Sequence, residues 1–193
     1  MSPRKTIAVD MDEVIADALG EHLLRYNRDF HPDATAQLTR ADLHGRWLWD
    51  AVPPARVRDL ERYMLSEDFF RVLTVMPDAQ RVLLRLQTRY DVFIASAAME
   101  VPSSFTSKYQ WLAEHFPFVP TSHIVFCGDK SILRADFLID DNPRQLRLFQ
   151  TLGDQASRGL HREGILFTSP ANVHITGYRR VNNWLDVETL FLS

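Results

Sequence analysis

The chain has 193 residues, of which 46% are hydrophobic and 24% charged, and its formal net charge is −3. This length favours one domain with room for an insertion, and the acidic balance argues against binding of a nucleic-acid polymer, which normally requires a basic patch. The single cysteine, Cys127, cannot form an internal disulfide, and no stretch is apolar enough for a signal peptide or a membrane span. We therefore expect a cytoplasmic protein whose partners include neither a membrane nor a nucleic-acid polymer.

The first predicted element is a strand from Thr6 to Asp10, because its short apolar run is typical of a strand buried on both faces. Two carboxylates, Asp10 and Asp12, close this run, and Glu13 follows them directly. That much negative charge within one turn repels itself unless a positive group lies nearby. Since no basic residue is adjacent, we expect a metal ion at this position. A helix is predicted from Glu13 to Phe30.

Residues 18–74 interrupt the regular pattern that surrounds them. They contain a polar, turn-rich stretch, the aromatic sequence RWLWD with Trp47 and Trp49, and a predicted helix from Pro54 to Ser66. We interpret this segment as a small helical cap inserted after the first strand. The chain then divides into a core of residues 1–17 and 75–193 and a cap of residues 18–74. The two tryptophans suit either the small core of the cap or a surface that faces a ligand.

From Pro77 onward, predicted helices and strands alternate. The helices cover Asp78–Tyr90, Ser103–Phe116 and Val181–Ser193, and the strands cover Asp91–Ala97, His123–Gly128, Asp136–Asp141 and Gly164–Ser169. Such alternation is typical of βαβ units. It predicts an α/β fold in which helices sandwich a Rossmann-like parallel sheet.

Polar or charged side chains follow several of the predicted strands. In open α/β sheets, ligands bind at the edge formed by the carboxyl ends of the strands. We therefore expect these residues to meet at one site: Asp10, Asp12, Ser96, Lys130, Asp140 and Asp141. Carboxylates are preferred ligands of Mg²⁺, and a lysine and a hydroxyl donate well to phosphate oxygens. One carboxylate can also attack phosphorus while a second acts as general acid and base.

The motifs at these strand ends resemble those of a known superfamily. DMDEV, Ser96, Lys130 and the IDD of residues 139–141 resemble, in order, the four motifs of the haloacid dehalogenase-like (HAD) phosphatases. Within that superfamily, DMDEVIAD, DVFIAS and GDKSILRADFLIDDNP are similar to the 5′(3′)-deoxyribonucleotidases. The resemblance implies a HAD-like fold. It also implies a Mg²⁺-dependent phosphomonoesterase that dephosphorylates nucleoside monophosphates through an aspartyl-phosphate intermediate.

The resemblance also implies a role for each matching residue. Asp10 would be the nucleophile, and Asp12 the general acid/base whose backbone carbonyl helps to bind Mg²⁺. Both residues therefore belong to the expected metal site. Asp141 would be the metal-binding aspartate, with Asp140 beside it, and the question of which of the two ligates the ion directly stays open.

The substrate contacts follow from the same resemblance. Ser96 and Lys130 would hold the phosphate, and Trp47 would stack on the base. The chain departs from the vertebrate enzymes at three places, since it has Glu13 in place of a glycine, Ala18 in place of a phenylalanine, and Ser96-Ala97 in place of a Thr-Ser pair. These departures leave the preferred nucleotide open.

Other interpretations stay open at this stage. A HAD phosphatase could act on another small phosphomonoester, such as a sugar phosphate, because the cap decides the substrate. A non-catalytic nucleotide-binding protein on the same scaffold is the third alternative. The sequence leaves a homodimer open, and the seven histidines show no metal-like spacing, so we assign them no function.

Overall fold

A parallel sheet forms the centre of the protein. The computed structural model describes residues 4–156 and 162–193, with the backbone alone for residues 152–156. The strands of this part of the chain are β1 Thr6–Val9, β2 Ala16–Asp17, β3 Thr74–Val75, β4 Asp91–Ser96, β5 Ile124–Phe126, β6 Phe137–Asp140, β7 Glu163–Phe167 and β8 Arg179–Val181. Six of them pair in the order β5-β4-β1-β6-β7-β8, and all neighbours in this sheet are parallel. The predicted α/β fold is therefore confirmed.

The strand order reverses beside β1, which lies between β4 and β6. Val9 pairs with Ile94 of β4 and with Ile139 of β6, so the carboxyl ends of these three strands lie level with one another. A reversal of this kind opens a crevice outside the strand ends, where ligands bind in α/β proteins. The fold therefore places Asp10, which follows β1 directly, at the mouth of that crevice.

The helices largely follow the prediction. They are α1 Ala18–Phe30, α2 Leu48–Ala51, α3 Val57–Leu65, α4 Ala79–Leu86, α5 Phe105–His115, α6 Pro143–Ala156 and α7 Trp184–Leu192. Helix α6 was not predicted, because the Asn142-Pro143 pair looks like a turn; it instead begins the helix, and the Asn142 side chain accepts a hydrogen bond from the N–H of Arg144 at 3.0 Å. Strand β8 was also missed, since its last residue was assigned to the closing helix.

The predicted start of the first helix at Glu13 is wrong. The chain turns tightly after β1, and the N–H groups of Ile15 and Ala16 both donate to the carbonyl of Met11 at 2.9 Å. Glu13 has a φ of 62° within this turn, which is left-handed and not helical. Helix α1 begins only at Ala18, where the Asp17 side chain caps it by accepting a hydrogen bond from the N–H of Gly20 at 2.7 Å.

Two apolar clusters cover the faces of the sheet. Because side chains alternate along a strand, Ile7 and Val9 of β1 belong to the larger cluster, and Ala8 belongs to the smaller one. Helices α4, α5 and α7 contribute to the larger cluster, and Leu146 and Phe149 of α6 contribute to the smaller one. The sheet is therefore sandwiched between helices, as predicted.

Strands β2 and β3 lie at the two ends of residues 18–74 and pair with each other as a short antiparallel ribbon. Ala16 pairs with Val75 and Asp17 with Thr74, which brings the start and the end of the segment together. Further along, Gly45 donates its N–H to the carbonyl of Pro170 at 2.8 Å and has a φ of +77°. A Cβ at this glycine would lie 2.3 Å from the side chain of His174. The loop before Trp47 thus rests closely on the turn that follows β7.

Among the helices of the described residues, none combines the length and the apolar character needed to cross a membrane.

Candidate active site

A buried lysine joins the ends of two strands. The Nζ of Lys130 lies 2.5 Å from Oδ1 of Asp10 and 2.6 Å from Oδ2 of Asp140, so it pairs with both carboxylates. Lys130 is only 1% exposed. Burial lowers the pKa of Lys130, but the charges and hydrogen bonds of Asp10 and Asp140 outweigh burial, and its pKa is raised overall. The lysine is therefore positively charged at neutral pH.

Two polar contacts hold the loop that carries Lys130. Asp129 accepts a hydrogen bond from the N–H of Ser131 at 2.9 Å and so caps the short turn that begins at Lys130. Gln145 of α6 donates to the carbonyl of Gly128 at 2.9 Å and accepts from the N–H of Lys130 at 3.3 Å. Gln145 is a positioning residue that sequence reasoning missed, because its partners lie in another segment of the chain.

Three carboxylates meet beside this lysine. Oxygens of Asp10, Asp140 and Asp141 all lie within 4.8 Å of one another, and the three side chains are buried. Burial raises the pKa of Asp10 to about 7; Lys130 opposes the rise, and the charges of Asp140 and Asp12 add to it. Burial, followed by the charges of Asp140 and Asp10, also raises the pKa of Asp141 well above its usual value. The cluster thus holds more negative charge than one lysine balances.

This donor set fits a hard divalent cation, which takes oxygen ligands and favours carboxylates. The two neighbouring acids differ in how free they are to bind it. Asp140 accepts from Lys130 with Oδ2 and from the N–H of Asn142 with Oδ1, at 2.6 and 2.8 Å. Asp141 has no such ion pair with a described lysine or arginine, and Asn172 holds its backbone carbonyl at 2.8 Å. The geometry therefore favours Asp141 over Asp140 as a direct ligand.

The spacing of Asp10 and Asp12 follows from the alternation of side chains along the chain. Met11, between them, is fully buried in the core, while Asp10 and Asp12 both line the cavity at the end of the sheet. Oδ2 of Asp12 forms an ion pair with Lys108, and its Oδ1 is buried without a hydrogen-bond partner. One oxygen of Asp12 is thus held in place by Lys108, and the other has no partner.

Lys108 is a second site lysine, and sequence reasoning missed it. Its Nζ contacts Asp12 and lies 3.2 Å from Oγ of Ser96, which is the last residue of β4. Lys108 is 2% exposed and shares the buried face of α5 with Trp111 and Leu112. Its position on an otherwise apolar stripe of a helix is the sequence signal from which Lys108 could have been predicted as a site residue.

Glu13 adds a further acid to the cavity wall. Its Oε1 accepts a hydrogen bond from the N–H of Leu19 at 2.5 Å, whereas its Oε2 is buried without a hydrogen-bond partner, 3.6 Å from Nη1 of Arg40. Burial raises the pKa of Glu13 to about 7, and the hydrogen bond from Leu19 opposes this rise. The positive φ at this position explains why a glycine would suit it, as in the vertebrate enzymes that the sequence resembles.

A cavity of about 270 Å³ lies over these residues. The charged residues Asp10, Asp12, Lys108 and Lys130 are among those that line it. Aromatic side chains of the inserted segment also line it, namely Trp47, Trp49, Phe69 and Phe70. Trp47 is 45% exposed, whereas Phe69 is fully buried. The structure thus brings Trp47 to the same cavity as the strand-end residues.

Solved structures share the fold of this chain. A haloacid dehalogenase-like family hydrolase from Streptococcus pneumoniae matches with a TM-score of 0.57 and 13% identity, over 99% of this chain and 100% of that one. A haloacid dehalogenase-like protein from Agrobacterium tumefaciens also gives a TM-score of 0.57, with 12% identity over 97% of each chain. At such low identity these matches support the fold alone.

Relatives by sequence are closer. A protein of Staphylococcus aureus named "Putative 5′(3′)-deoxyribonucleotidase" is 45% identical over 98% of this chain and 97% of its own length. The "5′(3′)-deoxyribonucleotidase" of Bacillus subtilis is 33% identical over 98% of this chain and 99% of its own length. The family described as "5′ nucleotidase, deoxy (Pyrimidine), cytosolic type C protein" matches residues 4–193. The resemblance predicted from the motifs is confirmed, and the chain belongs to this nucleotidase family.

Proposed function

We propose that the protein hydrolyses nucleoside monophosphates, deoxyribonucleotides in particular, with Mg²⁺ as its metal ion. The observation that carries this proposal is the meeting of Asp10, Lys130 and Asp141 beneath one cavity, although they come from separate segments of the chain. The names of the relatives and the aromatic walls of the cavity support a nucleotide as the substrate.

The first step proposed is transfer of the phosphoryl group to Asp10. A carboxylate oxygen of Asp10 forms a bond to phosphorus, and the bond from phosphorus to the nucleoside oxygen breaks. The departing oxygen needs a proton, which Asp12 supplies as general acid. The unpartnered Oδ1 of Asp12 is suited to this role, because Lys108 holds the other oxygen.

The second step proposed is hydrolysis of the aspartyl-phosphate. Asp12, now a carboxylate, accepts a proton from a water molecule, and the water oxygen forms a new bond to phosphorus. The bond between phosphorus and Asp10 breaks, so that phosphate leaves and Asp10 regains its carboxylate. Asp12 therefore acts first as an acid and then as a base.

Two lysines offset the negative charge of the phosphate in this proposal. Lys130 contacts Asp10 directly, and Lys108 lies between Asp12 and Ser96. Both amines are buried, so their charges are screened by water less than those of surface lysines. Ser96 would add a hydroxyl donor for a phosphate oxygen, as the family resemblance implies.

Asp10, Asp141 and the backbone carbonyl of Asp12 would hold the metal ion, and Asp140 would act through Lys130. When bound, a divalent cation supplies positive charge to the phosphoryl oxygens and so reduces their repulsion of the attacking carboxylate. The excess of buried carboxylates over lysine at this site supports such an ion.

We further propose that residues 18–74 act as a cap over a core of residues 1–17 and 75–193. The ribbon of β2 and β3 at the ends of the insertion supports this division, since it brings the two chain connections between cap and core side by side. Trp47 would then stack on the nucleobase. We also propose a cytoplasmic location, on the basis of the family description.

Phosphate release from a panel of substrates tests the proposal. The panel contains ribo- and deoxyribonucleoside monophosphates and small sugar phosphates, each assayed with Mg²⁺ and after metal removal with EDTA. We expect rapid turnover of deoxyribonucleotides that EDTA abolishes and Mg²⁺ restores. Activity that survives complete metal removal would contradict the mechanism.

The same panel separates the two alternative functions. Equal rates on sugar phosphates and nucleotides would favour a general phosphomonoesterase. Tight nucleotide binding with no turnover in Mg²⁺ would favour a binding protein.

A further inference from the structure

We propose that His22 determines specificity by forming a hydrogen bond with the polar edge of the substrate's nucleobase. The inference rests on the proposed function, because it names a residue that would recognise the nucleoside half of the substrate. Sequence reasoning assigned no function to any histidine, and the family motifs do not include this position.

His22 is a buried polar side chain within an aromatic group. It lies on α1, is 3% exposed and lines the cavity that contains Asp10 and Asp12. Its ring centroid is 4.6 Å from that of Phe69 and 5.1 Å from that of Trp49, which meets it edge-on. These rings pack against the imidazole but offer it no strong hydrogen-bond acceptor.

The Nδ1 atom of His22 is buried without a hydrogen-bond partner. A buried polar group that lacks a partner destabilises the folded state. A phenylalanine or leucine would suit the same aromatic surroundings without that penalty. Because the unpartnered side chain borders a cavity, a bound ligand is the natural source of the missing hydrogen bond.

The charge state of His22 restricts the kind of ligand group that it can bind. Burial lowers the pKa of His22 to about 4, although the charge of Asp12 opposes this effect. At neutral pH the ring is uncharged, so one nitrogen donates a hydrogen bond and the other accepts one. A neutral ring of this kind is a poor partner for a phosphate dianion, and Lys108 and Lys130 already occupy the phosphate end.

The position of His22 along the cavity points to the base. Ala18 lies one helical turn before it on α1, and both residues line the cavity with Trp47. The small side chain of Ala18 leaves space on this face of the helix for a ring system. A nucleobase edge presents hydrogen-bond donors and acceptors side by side, which is what a neutral imidazole can pair with.

The test compares His22→Phe and His22→Asn with the wild type on two kinds of substrate. His22→Phe keeps an aromatic ring but removes both nitrogens, and His22→Asn retains a donor and an acceptor near the position of Nδ1. The substrates are deoxyribonucleoside monophosphates with different bases and p-nitrophenyl phosphate, which has no base. Tyr26→Phe is the matched control, since Tyr26 lies one turn further along α1, is 3% exposed and does not line the cavity.

We expect His22→Phe to lower kcat/KM for its best nucleotide by about ten-fold, mainly through KM, as the loss of one hydrogen bond implies. The loss of kcat/KM for p-nitrophenyl phosphate should be several-fold smaller. The ratio of kcat/KM values between nucleotides with different bases should move closer to one. His22→Asn should recover part of the loss, and Tyr26→Phe should match the wild type on both substrates. The melting temperature of His22→Phe should equal or exceed that of the wild type, because an unpartnered polar group has been removed.

Several results would overturn the inference. One is an equal loss of kcat/KM on nucleotides and on p-nitrophenyl phosphate, which would mean that His22 has a structural role. Another is an unchanged kcat/KM on both substrates. A changed preference between ribose and deoxyribose with an unchanged preference between bases would assign His22 to the sugar instead. A wild-type protein that hydrolyses p-nitrophenyl phosphate but no nucleotide would refute the proposed function itself, whatever the variants do.

Discussion

The strand-end cluster and the wall that the inserted segment contributes to the cavity differ in whether their buried polar side chains have hydrogen-bond partners. In the cluster, Lys130 pairs with both Asp10 and Asp140, and the second oxygen of Asp140 accepts from a backbone N–H. In the wall, Nδ1 of His22 is buried without a hydrogen-bond partner. The protein therefore fixes Lys130, Asp10 and Asp140 with its own contacts, whereas Nδ1 of His22 has no partner of its own.

This difference has a physical reason. The reacting groups must be held in a fixed geometry before the substrate arrives, and paired charges from a rigid sheet provide that. Recognition instead needs donors and acceptors that are free until the substrate binds. Changes in the cluster should therefore reduce the chemical step for every substrate, and changes in the wall should affect nucleotides selectively.

The largest expected effect follows the loss of Asp10, the proposed nucleophile. Asp10→Asn keeps the shape of the side chain but cannot form the phosphoryl bond, so we expect kcat to fall on the order of 10³-fold or more on every phosphomonoester. Phosphate release under saturating substrate measures this. Asp129→Asn is the control, because Asn retains the cap of the turn and should retain most activity. Appreciable turnover by Asp10→Asn would assign the nucleophile elsewhere.

The next effect concerns the charge balance of the cluster. Lys130→Met leaves the buried carboxylates without their cation, and we expect a loss of about 3–5 kcal/mol in the free energy of unfolding as well as loss of activity. Urea unfolding measures the loss, and millimolar Mg²⁺ should recover part of it by binding the folded state alone. The exposed Lys5 supplies the control, Lys5→Met. Unchanged stability in Lys130→Met would mean that the ion pairs do not support the cluster.

A change in the wall should affect nucleotides only. Trp47→Ala removes a ring that is 45% exposed, so the fold should be retained. If Trp47 stacks on the base, the lost contact of ~1–3 kcal/mol raises KM for nucleotides by roughly 5- to 150-fold. The KM for p-nitrophenyl phosphate should change far less. Trp47→Phe should preserve most of the affinity for nucleotides. An equal rise in KM for nucleotides and for p-nitrophenyl phosphate would contradict the expectation that the wall affects nucleotides selectively.

The last expected effect leaves the chemical step aside: it is a change in stability that depends on pH. The pKa of Glu13 is raised from 4.5 to about 7 in the folded protein, so the folded state holds this proton more tightly than the unfolded state does. Glu13 therefore favours folding below pH 4.5, and that contribution is lost as pH rises towards 7. In Glu13→Gln this loss is absent, so the variant should gain stability relative to the wild type across that range, by up to about 3 kcal/mol.

Urea unfolding of the metal-free protein at pH 4.5 and 7.5 tests this prediction. Asp10 and Asp141, whose pKa values are also raised, add a pH dependence of the same sign in both proteins, and His22, whose pKa is lowered to about 4, adds one of the opposite sign. The comparison removes these shared contributions, apart from the effect of the Glu13 charge on the pKa of Asp141. A stability difference between Glu13→Gln and the wild type that does not change with pH would contradict the prediction.

The sequence predicted the elements of the core because their signals are local. Four short apolar runs, each followed by polar residues, marked strands β1, β4, β5 and β6, and the rule for parallel sheets placed their ends together. The structure places Asp10 and Asp12 at one cavity, with the buried Met11 between them. The same local rules failed at the turn after β1, where apolar Val14 and Ile15 look helical but are buried in a tight turn.

Contacts between distant segments decided the rest. Lys108 reaches Asp12 across 96 positions, and no periodicity in the chain reports such a distance. The roles of Gln145 and His22 likewise depend on what surrounds them in space. The amino-acid sequence by itself therefore determined the strands and the charged residues at their ends, since hydrophobic pattern and turn chemistry act over a few residues. Only the tertiary structure decided which charges pair, which polar atoms stay unpartnered and which side chains share a cavity, because burial and distance arise when the chain packs.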